Sequence, residues 1–328
     1  MHRRKFLHLA NTFFLSLSGL NALNAKDITI DFKGIKIGYL PITDHLLIIA
    51  KTFRNANFIP IKFASWSDLS EALRTKSIDG AFILTPLALK LASQKVKIKA
   101  ILAAHRNGSA LIVKKGLIQE NNQPHIRSLK GLKIAIPSRF STHYLLLADL
   151  LSQSNLTPND IKLIDMSPPE MVSALKNKSI DGFIVAEPFG IAAQTNNIGD
   201  LFILSKDIIP NHICCLLTFH TEVLQNQKQA IMAITKDFLE TALFIQKQPQ
   251  KAADLSTKFL GQRPALIQNL LLQNDRVIYN NLAIKEEDIT RTLLDMQKYK
   301  IENLHQNFEE FVDSNFIQNA FYESLENE

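Results

Sequence analysis

Cysteine is scarce in this chain: of 328 residues only Cys214 and Cys215 are cysteines, and they are adjacent. A disulfide framework needs separated pairs, so none is expected even in an oxidising compartment. The expected role of both is as small apolar residues in a strand over 213–219, pointing to opposite faces. The neighbouring sequence offers them no metal or redox partners. There is no Gly/Ser-rich linker, charge run or low-complexity tract, so any domain boundary must be a structured crossover. No basic tract of the kind nucleic-acid binding needs is present. Walker loops, Gly-x-Ser-x-Gly elbows, His-Glu-x-x-His and Cys-x-x-Cys are absent, so no catalytic residue, cofactor or metal ligand is expected. Hydrophobic residues make up 46%, which excludes both disorder and a multi-spanning membrane protein.

What is present begins with an address. Arg3, Arg4 and Lys5 precede an apolar stretch over 7–20 with Phe13, Phe14, Leu15 and Leu17, and small residues follow to Ala22 or Ala25. The stretch is shorter than the ~20 residues a spanning helix needs. Arg3-Arg4-Lys5-Phe6-Leu7 resembles the twin-arginine export signature, and an ordinary Sec signal with two arginines is the other reading. Residues 1–25 are therefore expected to be a signal peptide, with no cysteine to carry a lipid anchor. Cleavage after Ala25 would remove three of the cations behind the formal +6, leaving a chain closer to neutral.

Past this signal, one phrase is written twice. Lys76-Ser77-Ile78-Asp79-Gly80 returns as Lys178-Ser179-Ile180-Asp181-Gly182, about 100 residues downstream. Gly34-Ile35-Lys36-Ile37-Gly38 returns in the same order as Gly131-Leu132-Lys133-Ile134-Ala135. Each copy reads strand, Pro-containing turn, helix, strand, helix, Asp-Gly, strand, which calls for a parallel sheet with right-handed crossovers. At 328 residues two such lobes fit better than one core. The expected fold is α/β and two-lobed, each lobe a mainly parallel sheet flanked by helices, with a two-strand hinge. Lobe one would take 26–108, lobe two 109–212, and 213–328 would return to pad lobe one with C-terminal helices.

Ligands in such sheets sit at the carboxyl ends of the strands, beside helix N-termini. The candidate ligand-binding residues are therefore those in the turns. Ser138, Ser141, Thr142 and His143 share one strand-to-helix turn with Arg139, where capping and anion binding use the same donors. Thr43 and Asp44 hold the equivalent turn of lobe one, Asp44 as a helix cap or a partner for an ammonium group. Trp66 follows a strand end, either as core or as a ligand wall. Thr85-Pro86 and Glu187-Pro188-Phe189 follow the third strand of each copy. Glu187 is open to a cation, an amine, or a salt bridge with Arg139 or His143. Asn107 and Ser109, with Gly108 between, mark the first crossover.

At these residues the chain resembles a known family. Gly38-Tyr39-Leu40-Pro41-Ile42-Thr43-Asp44, Ser65-Trp66-Ser67-Asp68-Leu69, the paired Ser-Ile-Asp-Gly steps and Ala186-Glu187-Pro188-Phe189 are similar to the periplasmic binding proteins of nitrate, bicarbonate, sulfonate and taurine ABC importers. The resemblance is strongest over 34–220, and 311–316 looks like the family's C-terminal end. It implies a type II periplasmic-binding-protein fold and capture of a small oxyanion or related solute between the lobes. It also implies delivery to a permease with a cytoplasmic ATPase, by a monomer in the periplasm. Trp66, His143 and Asn211-His212 match the nitrate/bicarbonate branch. Phe189 stands where that branch has Trp, and Ile213-Cys214-Cys215 where it carries a ligand lysine. Two alternatives use the same fold: an enzyme of the thiamine-pyrimidine or menaquinone-precursor type, or a binder of a thiamine-pyrimidine precursor. The export signal and the lack of a cofactor lysine speak against the enzyme.

Overall fold

Apart from two-residue strands at 106–107 and 277–278, the strands fall where short apolar runs predict them. In the computed structural model, which describes residues 34–118 and 125–325, they are β1 (Lys36–Tyr39), β2 (Ile59–Lys62), β3 (Gly80–Leu84), β4 (Ile98–Ala103), β5 (Arg106–Asn107) and β6 (Ser109–Lys114). Then come β7 (Lys133–Ile136), β8 (Lys162–Asp165), β9 (Gly182–Ala186), β10 (Gly199–Leu204), β11 (Cys215–His220) and β12 (Val277–Ile278). The signal reading over 1–25 lies outside the described residues.

Two five-stranded sheets share one plan. The first runs β2-β1-β3-β11-β4 and the second β8-β7-β9-β6-β10. In each, three parallel strands are joined by one antiparallel strand that arrives from the other lobe, β11 in the first and β6 in the second. The repeated phrase accounts for this. Asp79 Oδ2 accepts the Lys36 N–H at 2.7 Å, and Asp181 Oδ2 accepts the Lys133 N–H at 2.9 Å, so each Asp-Gly step clamps the start of the first strand of its own lobe. The glycine after each Asp lets the visiting strand come close. A Cβ on Gly80 would lie 2.6 Å from the Thr218 carbonyl oxygen, and one on Gly182 2.7 Å from that of Ile112. Both copies also end their preceding helix with a lysine in the left-handed region, Lys76 at φ 59° and Lys178 at φ 60°.

The chain crosses between sheets twice, and the crossings lie side by side: Arg106 pairs with Ile213, and the Asn107 N–H donates to the His212 carbonyl at 2.9 Å. A third segment, invisible in the sequence pattern, joins them. β12 pairs antiparallel with β5, and the Gly108 N–H donates to the Arg276 carbonyl at 2.8 Å.

The segment expected to pad the first lobe divides its contacts. Helices Lys228–Lys247 and Pro249–Leu260 do pack there, with Phe238 against Phe58 and Phe82, Phe244 stacked on Phe53, and Phe259 edge-on to Tyr39. Helix Pro264–Leu271 instead sets Leu266 and Leu270 against Ile191 and Ala192 of the second lobe. No described helix is long and apolar enough to cross a membrane.

Candidate functional site

The turns after β1, β3, β7 and β9 converge with the two crossings on one buried polar core. Thr43 opens the helical segment after β1, and its N–H and hydroxyl both donate to the Glu187 carbonyl, at 2.8 and 2.9 Å. The Cys214 carbonyl collects donors from both lobes: the Thr85 N–H at 2.9 Å, the Thr85 hydroxyl at 3.0 Å and the Thr142 hydroxyl at 3.1 Å. The lobes therefore touch directly beside the crossings, through Thr43 and Glu187.

The lobe-two turn behaves first as a cap. Ser141 is the N-cap of helix Thr142–Ser152, accepting the Tyr144 N–H at 3.1 Å, and its hydroxyl donates to the Ser138 carbonyl at 2.6 Å. Ser138 Oγ accepts the Phe140 N–H, and Arg139 is exposed. The Ser141 donor is thus spent within the turn, whereas Ser138 Oγ serves there as an acceptor. His143 is fully buried, with Nε2 3.1 Å from Ser109 Oγ and 3.9 Å from Cys214 Sγ.

Glu187 has neither of the partners expected for it. The buried carboxylate receives Arg276, whose Nε donates to Oε1 at 2.8 Å, and the Ile191 N–H at 2.8 Å. The salt bridge forms with Arg276 of the third hinge segment and not with Arg139 or His143. Glu187-Pro188 is a cis peptide, Pro188 is the N-cap of helix Phe189–Thr195, and Phe189 is buried. Pro86 stands in the first turn of helix Thr85–Ser93. Asn107, at φ 61°, holds the crossings together: its amide donates to the Asp275 carbonyl and its Oδ1 accepts the Asn211 N–H.

Trp66 begins helix Trp66–Arg74, capped by Ser65, and stands edge-on to His45 at 5.5 Å. It is buried to 3% exposure, so the core reading holds for most of the ring, and Nε1 has no partner among the described residues. Its edge also lines an interlobe groove with Ser67 and Leu87 on one side and Ser138, Asp165 and Pro168 on the other.

The largest departure from the sequence reading concerns the cysteines. Their thiols do not point to opposite faces into apolar surroundings. One atom each of Asp44, His105, Cys214 and Cys215 lies within 4.8 Å of all the others, and all four residues are fully buried. Cys214 precedes the first paired residue of β11, so strand alternation does not govern it. The partners missing from the local sequence come from the β1 turn and the first crossing. His105 Nε2 lies 3.0 Å from Asp44 Oδ2 without the alignment of a hydrogen bond, and Asp44 Oδ1 has no partner among the described residues. Asp44 therefore does not act as a cap: no side-chain cap is made at that helix start.

Burial raises the Asp44 carboxyl to about 7, against the pull of His105. Burial opposes charge on His105 too, but Asp44 beside it holds the imidazole up at about 10. His45 and His212, without a carboxylate, are driven down by burial to about 3 and about 4. The Cys215 thiol is pushed up by burial. At Cys214 burial is outweighed by the Cys215 thiol and the nearby imidazoles, which hold it down. Neither His105 nor Arg276 was anticipated; a lone His and a lone Arg carry no spacing signal.

This arrangement can be set beside known proteins. The chain matches the NMT1-like family over residues 31–260. It is 27% identical over 233 residues to the nitrate import ATP-binding protein NrtC of Synechocystis, covering 63% of this chain and 34% of that protein. It is also 27% identical over 258 residues to the nitrate/nitrite binding protein NrtA of a Nostoc species, covering 71% of this chain and 58% of NrtA. The chain thus spans less than two thirds of the length of these relatives. Among solved structures it is similar to a ligand binding component of an ABC-type import system from Staphylococcus aureus, determined with zinc bound. That similarity has a TM-score of 0.77 at 29% identity and covers 87% of this chain and 98% of the other.

Proposed function

The chain belongs to the NMT1-like family, and we propose that it is the extracytoplasmic solute-binding component of an ABC importer. It captures a small solute between its lobes and presents the closed form to a permease driven by a cytoplasmic ATPase. One observation carries this reading: the Cys214 carbonyl, at the second crossing, is held by Thr85 of one lobe and Thr142 of the other, so both lobes meet on the buried polar core at the hinge. A polar core shared by two lobes across a hinge, with a groove between them, suits capture and release. The relatives that bind nitrate or belong to import systems support the same role. The division into lobe one (26–108 and 213–328) and lobe two (109–212), with a cleaved export signal and a monomer working in the periplasm, belongs to this proposal.

An oxyanion such as nitrate, bicarbonate or sulfonate is the solute class the resemblance implies. Thr43, Asp44, Trp66, Thr85, Ser109, Thr142 and His143 are the residues proposed to surround the solute. Ser138 faces the groove beside Trp66, Ser141 holds the turn, and Pro86, Asn107, Glu187, Pro188 and Phe189 support the walls. The chain is proposed to bind its solute without turning it over. A thermal-shift panel of oxyanions, sulfonates, pyrimidine precursors and metal ions tests this. A specific ligand raises the midpoint with concentration as mass action requires. Turnover of a compound with no stabilising ligand in the panel would overturn the binding reading.

A further inference from the structure

We propose that Asp44, His105, Cys214 and Cys215 bind a thiophilic divalent metal ion of the Zn2+ type at the floor of the interlobe cleft, and that this ion is the solute the lobes close upon. The second clause rests on the solute-binding reading above; the first does not.

The geometry carries it. A tetrahedral shell with metal–sulfur bonds of about 2.3 Å and metal–nitrogen or –oxygen bonds of about 2.0–2.2 Å spaces its donors ~3.3–3.8 Å apart. Donors already within 4.8 Å of one another need only a small contraction to reach that spacing. They satisfy each other only in part: His105 Nε2 and the Cys215 thiol both lie against Asp44 Oδ2, leaving the other atoms unmatched. Asp44 Oδ1 and both His105 nitrogens make no aligned hydrogen bond among the described residues, and the Cys215 thiol reaches Asp44 Oδ2 only at 3.7 Å. Fully buried carboxylate and imidazole atoms left in this way are costly, and a central cation would satisfy them together.

The donor chemistry selects the ion. Two sulfurs, one imidazole and one carboxylate make a borderline-soft set that suits Zn2+, whereas Ca2+ and Mg2+ take oxygen ligands. An oxyanion would meet the His105 imidazole but also a carboxylate and two sulfurs. The Arg276 guanidinium, which reaches the β9 turn from the third hinge segment, is already paired with Glu187.

The surroundings fit as well. A Cβ on Gly108 would come 2.8 Å from His105 Nδ1 and 3.2 Å from Asp44 Oδ1, so glycine at φ 87° leaves room beside both ligands. Ser109 fixes His143 next to Cys214, the position of an outer-shell partner. Every donor is buried at the crossings, so an ion enters only when the lobes part, and ligation of Cys214 pulls on the residue that both lobes grip.

The test uses the full chain, kept reduced, stripped with a chelator and shown to be folded by circular dichroism. Co2+ alone is titrated first and then displaced by Zn2+. The expected result is one equivalent of Co2+ with a thiolate-to-cobalt charge-transfer band, displacement by one equivalent of Zn2+, and proton release into a weak buffer as thiols ionise. C214S/C215S should lose that band, and D44N or H105N should weaken Zn2+ at least ~10-fold. A folded wild-type chain that takes up neither ion stoichiometrically overturns the proposal without recourse to any variant. So does a C214S/C215S chain with the wild-type cobalt spectrum and affinity. The same stripped sample is heated with nitrate, bicarbonate, sulfate and taurine. If one of these stabilises it and the metals do not, the metal inference falls and the solute-binding reading stands. If no ligand of either class binds, both fall.

Discussion

Glu187 and Arg276, 89 positions apart, form a buried ion pair that ties the β9 turn of the second lobe to the segment lying along the hinge. Arg276 also reaches Gln273 and Gln194, and Glu187 takes the Ile191 N–H, so both charges are fully engaged. Removing one partner should therefore cost more than removing both. Arg276→Met is expected to lower unfolding stability by ~3–5 kcal/mol, because it strands a buried carboxylate. Urea unfolding of R276M, E187Q and the R276M/E187Q double variant checks this. A double variant as unstable as the sum of the singles would show that the two residues do not act as a pair.

The paired Asp-Gly clamps make a symmetric prediction. Asp79→Ala and Asp181→Ala each remove a carboxylate that accepts a backbone N–H at the start of a lobe's first strand. Each should cost about 1.5–3 kcal/mol, the range for a hydrogen bond to a charged group. The two losses should add, since the sites share no partner. Chemical denaturation of both singles and the double measures it, and a loss confined to one copy would break the equivalence.

Closure can be weakened at one hydroxyl. Thr142→Val keeps the shape of the side chain and deletes the bond to the Cys214 carbonyl. The closed form should lose about 1 kcal/mol, or roughly a fivefold drop in apparent affinity for any ligand that favours closure. Titration gives the affinity, and the emission of the single tryptophan, Trp66 at the interlobe groove, gives the opening. Unchanged affinity in T142V would mean that this contact does not report on closure.

Acid should destabilise the fold through buried histidine. His220 is buried with Nε2 2.8 Å from the Leu73 carbonyl oxygen, and burial, helped by the Lys76 cation, holds its imidazole below the usual range against the Leu73 carbonyl and Glu222. The folded state thus resists a proton that the unfolded state accepts near pH 6.5. Stability is then present above that pH and declines as pH falls toward the lower folded value. His220→Gln should flatten part of the fall in urea midpoint between about pH 7.5 and 5.5. An identical slope in H220Q would assign the acid sensitivity to other groups.

Much of the architecture can be read from the sequence because it is written in local signals. The strands over 36–39, 80–84, 133–136 and 182–186, the Ser141 cap and the place of Asp79-Gly80 and Asp181-Gly182 at strand entrances follow from period, turn chemistry and one repeated phrase. The reason for each glycine, a visiting antiparallel strand, needed the fold, because that strand comes from the other lobe.

The chemistry of the cleft was decided elsewhere. Turn residues at strand ends were predictable as a class. The partner of Glu187 and the company of the two cysteines were not: Arg276 arrives by a third hinge segment, and Asp44 meets Cys215 across 171 positions. Such contacts carry no periodicity or spacing, because two crossings at a hinge bring distant turns to one point. The sequence alone determined two lobes on one plan and where their strands lie. Only the tertiary structure decided which side chains are sealed between them, since burial and convergence depend on how the chain crosses.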